Sequence, residues 1–405
     1  TSLTKDGPGQ WRLTGSSTYT GTTQILNGTV SLAVNAQSNL AGGFGLSTGR
    51  VLLGNAAAGA SGTAAILLEQ GVTVSRGIDI ASSAGSQVVS LGGSHTAGIS
   101  SFVVDTPVRL GAGRTVALLA ASSGTSQGTV RFNNVWQDST GGTNVTNNFT
   151  VGGTGFGGIV EIGNPLATAG SVSVLNGRLA VRGSTEQGSL SAGGGVLING
   201  AGAELKFNST TPLTSPVTLT QGILSGTGAI NAAVTPGGVA AILSPGNSPG
   251  IMPFGTSQTW NSFTYLWETN NFTGTTAGTD FDRITIAGGL SLTGTTSGAY
   301  VLDITSLTAL NELGIVPNFD EQARSWTILT TTGGITGFDA TRWTLNTANF
   351  STSPAWQTNG SFSIATANAG NDLVLNFVVV PEPASAAIAG IGIVVAAWVG
   401  YRRRR

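Results

Sequence analysis

The chain has 405 residues, of which 62 are glycine and only 9% are charged. Cysteine is absent and histidine occurs once, which excludes disulfide frameworks, thiolate metal sites and thiol catalysis and leaves His95 as the single imidazole. The net charge is −1, or −5 once the four terminal arginines are set aside, and so weakly acidic a body has no electrostatic footprint for nucleic acid. Hydrophobic residues reach 40%, enough for a core, and no Gly-X-Y period runs through the glycines, which excludes collagen.

From Leu3 onward, short β-favouring runs alternate with Gly, Asn, Ser and Thr turns, and no helical period is sustained. An all-β fold is predicted. Glycines precede strand-like runs at Gly28, Gly49, Gly71 and Gly113, with gaps of 21, 22 and 42 residues. A period near 20 is what one coil of a β-solenoid needs, because each coil buries its strands only against the coils beside it. Ile25-Leu26-Asn27-Gly28-Thr29-Val30 and Val174-Leu175-Asn176-Gly177-Arg178-Leu179 repeat one pattern, an Asn-Gly turn between apolar pairs.

The stretch from Leu3 to Leu32 carries Leu3, Thr4, Lys5, Gly7, Gly9, Leu13, Gly15, Tyr19 and Gly21 in a fixed spacing. It resembles the autotransporter-associated β-strand repeat. Ser244-Pro245-Gly246-Asn247-Ser248-Pro249-Gly250 is similar to the closing motif of such passengers. The resemblance implies a right-handed parallel β-helix over residues 1–250. Trp11 departs from the small aliphatic or Thr residue more common there, without consequence for the fold.

Three motifs along this region suggest chemistry. Gly93-Ser94-His95-Thr96 offers no acid near the imidazole, so His95 reads as a loop residue. Gly153 to Gly158 satisfies G-x-G-x-x-G, but Ile159-Val160-Glu161-Ile162 reads as a strand, and a phosphate cradle needs a helix there. Gly246 to Gly250 satisfies G-x-S-x-G, but Pro249 removes the N–H an oxyanion hole would use. Both read as turns.

Residues 251–378 form a second β-rich section with Trp260, Trp267, Trp326, Trp343 and Trp356, either a distinct module or the cap of the solenoid. Aromatics on sheets are usually core, with glycan stacking as the rarer use. Ser306 to Leu313 is predicted as a short helix. Acidic residues look scattered; only Asp280 and Asp282 form an i, i+2 pair on one strand face. That pair is a weak Ca²⁺ candidate, against a simpler role as solvated strand entry.

The end of the chain is the most specific part. Pro381-Glu382-Pro383 precedes an apolar run whose only polar side chain, to Gly400, is Ser385; Tyr401 and Arg402, Arg403, Arg404 and Arg405 follow. The run is long enough for a short transmembrane helix over 384–401, and the arginines orient it with the cluster in the cytoplasm and the body outside. A core helix would have to bury four unpaired arginines; an ordinary single-span anchor is the closer rival. Pro-Glu-Pro, short helix and Arg cluster, in this order over 379–405, resemble the PEP-CTERM sorting signal of Gram-negative exopolysaccharide producers. The resemblance implies an exosortase as partner, a transient stay in the inner membrane, and Pro381, Glu382 and Pro383 as residues acted upon.

Together these readings lead to a non-enzymatic exported structural or adhesion protein of the cell surface or extracellular polysaccharide matrix, with no cofactor and exopolysaccharide as a candidate partner. A glycan-cleaving β-helix enzyme is the alternative; clustered carboxylates on adjacent coils would favour it. An autotransporter passenger would need barrel strands after residue 378. Export implies a leader, and none is legible at Thr1, so the expected start lies upstream.

Overall fold

A computed structural model describes residues 1–57, 60–82, 85–103, 107–142, 145–183, 186–358 and 360–379. Among them there is no α-helix, only three single 3₁₀ turns at Ala340–Arg342, Trp356–Thr358 and Asn368–Gly370. The architecture is all-β, with parallel ladders stacked as in a β-helix.

Three ladders recur in chain order. The first joins Leu3–Lys5, Thr23–Ile25, Val51–Leu53, Ile78–Ile80, Val108–Leu110 and Trp136–Asp138. The second runs from Gln10–Leu13 through Gly28–Leu32, Thr63–Leu68, Val88–Gly93, Thr115–Ala120 and Asn148–Val151 to Val172–Val174. The third runs from Thr73–Val74 through Ile99–Phe102, Thr129–Phe132 and Ile159–Ile162 to Gly177–Val181. The long strands Val196–Phe207 and Val217–Gly226 turn the corner and serve the second and third ladders together.

Alternation places every second residue inside. On the second ladder Val30, Ile66, Leu91, Leu118, Val151, Val174, Ile198 and Leu219 are register partners in succession, and all are fully buried. Each contributes about 1.5–3 kcal/mol by leaving water. On the third ladder Phe102 and Phe132 stack with ring centroids 4.9 Å apart. At one corner, Gln87, Arg114 and Asn147 stand immediately before successive strands and are buried. Arg114 donates to the carbonyls of Ala81, Gln87 and Asn55, Gln87 to that of Leu26, and Asn147 to those of Gly111 and Arg114. These side chains supply the donors that buried turn carbonyls need.

The coil is not uniformly near 20 residues. Leu3 pairs with Thr23 and Val196 with Val217, but Thr23 pairs with Val51 and Ile78 with Val108. The four evenly spaced glycines do not stack. Gly28 and Gly113 enter the second ladder, Gly49 precedes a first-ladder strand and Gly71 a third-ladder strand. Their spacing reflects loop lengths. The paired Asn-Gly turns do match: Asn27 and Asn176 each accept the following glycine N–H, and Gly28 and Gly177 lie at φ +79° and +68°.

The third ladder continues in parallel through Ala241–Pro245, Phe263–Thr269 and Tyr300–Ser306 to Trp343–Asn346. Here the coils are wider: Met252 pairs with Ile284, and Ile284 with Leu329. Trp260, Phe263, Tyr265, Trp267 and Tyr300 fill the interior and are fully buried. Trp326, Trp343 and Trp356 are buried as well, so none of the five tryptophans of this section is a surface stacking platform. Arg324–Thr331 then pairs antiparallel with Asp372–Val379, which pairs antiparallel with Gly360–Ala367.

Ser306 to Leu313 is not a helix. Ser306 ends a strand, Leu307 bridges Leu313, and the Thr308 hydroxyl accepts the N–H groups of Leu310 and Glu312 with Asn311 at φ +61°. A Thr side chain competing for local N–H groups favours a turn over helix. No helix among the described residues is long and apolar enough to cross a membrane. The expected span at 384–401, Pro381 to Pro383 and Arg402 to Arg405 lie outside the described residues.

Candidate functional site

Although only 9% of the chain is charged, charge gathers on the outer face of the third ladder. Arg131, Glu161, Ala180, Lys206, Ser225 and Ser244 are register partners in succession, one per strand. Arg178 and Glu204 pair in the parallel row two residues earlier. Neighbouring strands lie about 4.8 Å apart, so these side chains meet. Arg131 contacts Glu161 at 2.8 Å, Arg182 contacts Glu161 and Glu186 at 2.9 Å each, and Arg178 contacts Glu204 at 2.6 Å. The Ser225 hydroxyl donates to the other oxygen of Glu204 at 2.6 Å. Each half-exposed pair contributes roughly 0.2–1 kcal/mol, so the row aligns coils more than it stabilises them.

Acidic residues are therefore not scattered in space. Runs such as Thr129–Phe132, Ile159–Ile162 and the end of Val196–Phe207 each carry one charge just before their last apolar residue, and that shared position was the available signal.

The row ends at the turn 246–250. Ser248 lies at φ +66°, in the left-handed region, and its hydroxyl donates to Glu268 at 2.5 Å. Glu268 points to the outer side of its strand yet is only 8% exposed; burial raises its carboxyl, opposed by Ser248 and then by Lys206. Asp282 is fully buried. Its carboxylate accepts the Gly250 N–H at 2.6 Å and the Glu268 N–H at 3.1 Å, and its carbonyl accepts the Trp267 indole N–H. Burial pushes Asp282 well above the ordinary range, and the charge of Glu268 adds to this. Lys206 makes no hydrogen bond or ion pair with the described residues; burial, then Arg178, lowers its ammonium.

Several expected candidates resolve here. Asp280 and Asp282 do not form a solvated pair: Asp280 accepts the Thr276 N–H and the Asn271 amide within its own loop, while Asp282 is a core clamp. The two carboxylates thus accept hydrogen bonds from different parts of the structure. Among the described residues no group of three His, Asp or Glu side chains could hold a metal ion. His95 contacts the Ala97 carbonyl at 2.8 Å and the Ser100 hydroxyl at 2.9 Å, with no carboxylate partner among the described residues. Gly153 bridges Phe156 in a tight turn that leads into the strand Ile159–Ile162. Ser248 is paired with a carboxylate and not with an imidazole, and its motif is a turn.

Beside the row lies a polar groove of about 300 Å³ lined by Arg182, Gly183, Asn208, Thr227 and Asn247. Nothing in the sequence reading singled it out, because its five residues come from four different coil segments. No curated protein matches the chain. Residues 3–32 match the passenger-associated transport repeat family, which supports a passenger-type repeat, an extracellular β-helix and export to the surface in Gram-negative bacteria.

Proposed function

We propose that the chain is an exported, non-enzymatic β-solenoid of the cell surface or extracellular matrix of a Gram-negative bacterium. Its coils would be right-handed, as parallel crossovers almost always are. An exosortase would recognise Pro381, Glu382 and Pro383, with 384–401 holding an inner-membrane intermediate and Arg402 to Arg405 fixing its orientation. The observation that carries the reading is the succession of hydrogen-bonded parallel coils from Leu3 to Asn346, together with the repeat match at residues 3–32. A rod of this kind works by presenting a long surface.

The glycan-cleaving alternative needs a free acid and base. Glu161 and Glu204 are held by arginines and Glu268 by Ser248, so the carboxylates of adjacent coils are already occupied. This favours the non-enzymatic reading. Expression of the full chain in an exosortase-bearing Gram-negative host, with surface biotinylation of intact cells, tests it. Labelling is expected, and incubation with the host polysaccharide should release no new reducing ends. A chain shielded from the label, or one that shortens the polysaccharide, would contradict the proposal.

A further inference from the structure

The groove at the corner beyond the third ladder has built-in order. Asn208 accepts the Thr227 N–H at 3.1 Å and donates its own amide to Asn247 at 3.3 Å, so the two carboxamides and the threonine are fixed relative to one another. Arg182 is held in place by Glu161 and Glu186. From Arg182 through Asn208 and Thr227 to Asn247 the wall crosses three strand spacings, about 14 Å along the stack. One donor there is unspent. The Asn247 amide nitrogen has no hydrogen-bond partner among the described residues, while Lys206, two residues before Asn208, stands outside the lining.

The surrounding charge cancels. Arg131, Arg178, Arg182 and Lys206 face Glu161, Glu186, Glu204 and Glu268. A site of fixed donors and acceptors with no net field favours a ligand that offers many hydroxyls and no charge. Binding an anion at Arg182, the one charged residue of the lining, would instead pull it from Glu161 and Glu186, at the cost of leaving those carboxylates unpaired. The buried tryptophans leave hydrogen bonding, not ring stacking, as the means of recognition at this place.

We infer that this groove binds a neutral, hydroxyl-rich polysaccharide laid across successive coils, with Asn247 donating to its hydroxyls. The inference rests on the matrix-facing reading proposed above and names the ligand class and site for it. The test is affinity electrophoresis of the purified full chain in gels containing dextran, laminarin or galactomannan, with polygalacturonate as the acidic counterpart. At least one neutral glycan should retard the chain. Thr227→Val with Asn247→Ala should weaken that retardation tenfold or more while leaving the circular dichroism spectrum unchanged, and Arg12→Ala, at the far end of the stack, should leave it intact. Retardation by polygalacturonate alone, by none of the four, or equally in the double variant would overturn the inference. Shortening of a bound glycan would support the groove and sink the non-enzymatic reading, so the two failures are separable.

Discussion

The early and late coils solve one problem with different materials. Around residues 60–220 aliphatic side chains such as Leu91, Leu118 and Val151 fill the interior of the second ladder, beside one short aromatic stack of Phe102, Phe132, Trp136 and Phe149, with polar corner residues taking up the turn carbonyls. Beyond residue 250 the spacing between paired residues grows and aromatic side chains dominate the interior: Trp260 and Tyr300 each meet Phe263 edge to face, and Tyr265 and Trp267 are buried alongside. The wider coils also bury a carboxylate, Asp282, where a turn has to be pinned across the greater span. The late coils thus rest on many more buried aromatics than the early ones.

The sharpest way to break this comparison is to empty each interior. Trp267→Ala should lower the unfolding free energy by about 4 kcal/mol, from lost burial and residual cavity, and Leu118→Ala by about 3 kcal/mol. Urea denaturation followed by far-ultraviolet circular dichroism reads both, and a larger loss at Leu118 would count against an aromatic core. Arg114→Met tests the corner. Orphaning the carbonyls of Ala81, Gln87 and Asn55 should cost about 3 kcal/mol, with faster amide exchange in the adjoining coils. Unchanged exchange there would mean that the arginine is ornamental.

A smaller effect separates two glycines of the first coil. Gly28→Ala must hold a positive φ and would push a methyl against the carbonyl oxygens of Gly7 and Gly9, whereas a methyl at Gly9 meets nothing. A loss of about 1–2 kcal/mol is expected at Gly28, from the left-handed conformation alone, and no change at Gly9.

The late coils also predict a pH signature. Glu268 and Asp282 are raised in the folded protein, so their ionised forms are disfavoured there. Their penalty is absent below the unfolded values of about 4.3 and 3.9, and it grows as pH rises from those values towards the folded ones. The urea midpoint should therefore fall as pH rises from about 4, and Glu268→Gln, which keeps an acceptor for Ser248, should flatten part of that fall. A midpoint that climbs over the same window in the wild type would refute the assignment. The opposing groups, Glu69, Asp138 and Asp339, are lowered by hydrogen bonds and act at more acidic pH.

The strand-and-turn alternation, the stacked coils and the twin Asn-Gly turns were legible in the sequence, because period-2 patterning and left-handed turn residues are local properties. Register was not. Even glycine spacing suggested a uniform coil, yet loops of unequal length send Gly49 and Gly71 to different ladders from Gly28. For the same reason Arg131, Glu161 and Lys206, far apart in the chain, gave no sign of forming one row. Asp282 was misread because a carboxylate at a strand entry is ordinarily solvated, and only the turn folded over it supplies the two N–H groups that let it be buried. Thr308 misled in the opposite sense, by capping a turn inside an otherwise helix-compatible run.

The central claim is that the body is delivered outside the cell through its carboxyl-terminal motif, and mass spectrometry of the carboxyl terminus of the exported chain tests it most directly. The account predicts an end at or near Pro381 to Pro383, lost in Pro381→Ala or Glu382→Ala. An exported chain still ending at Arg405 would contradict it and make the tail an ordinary anchor.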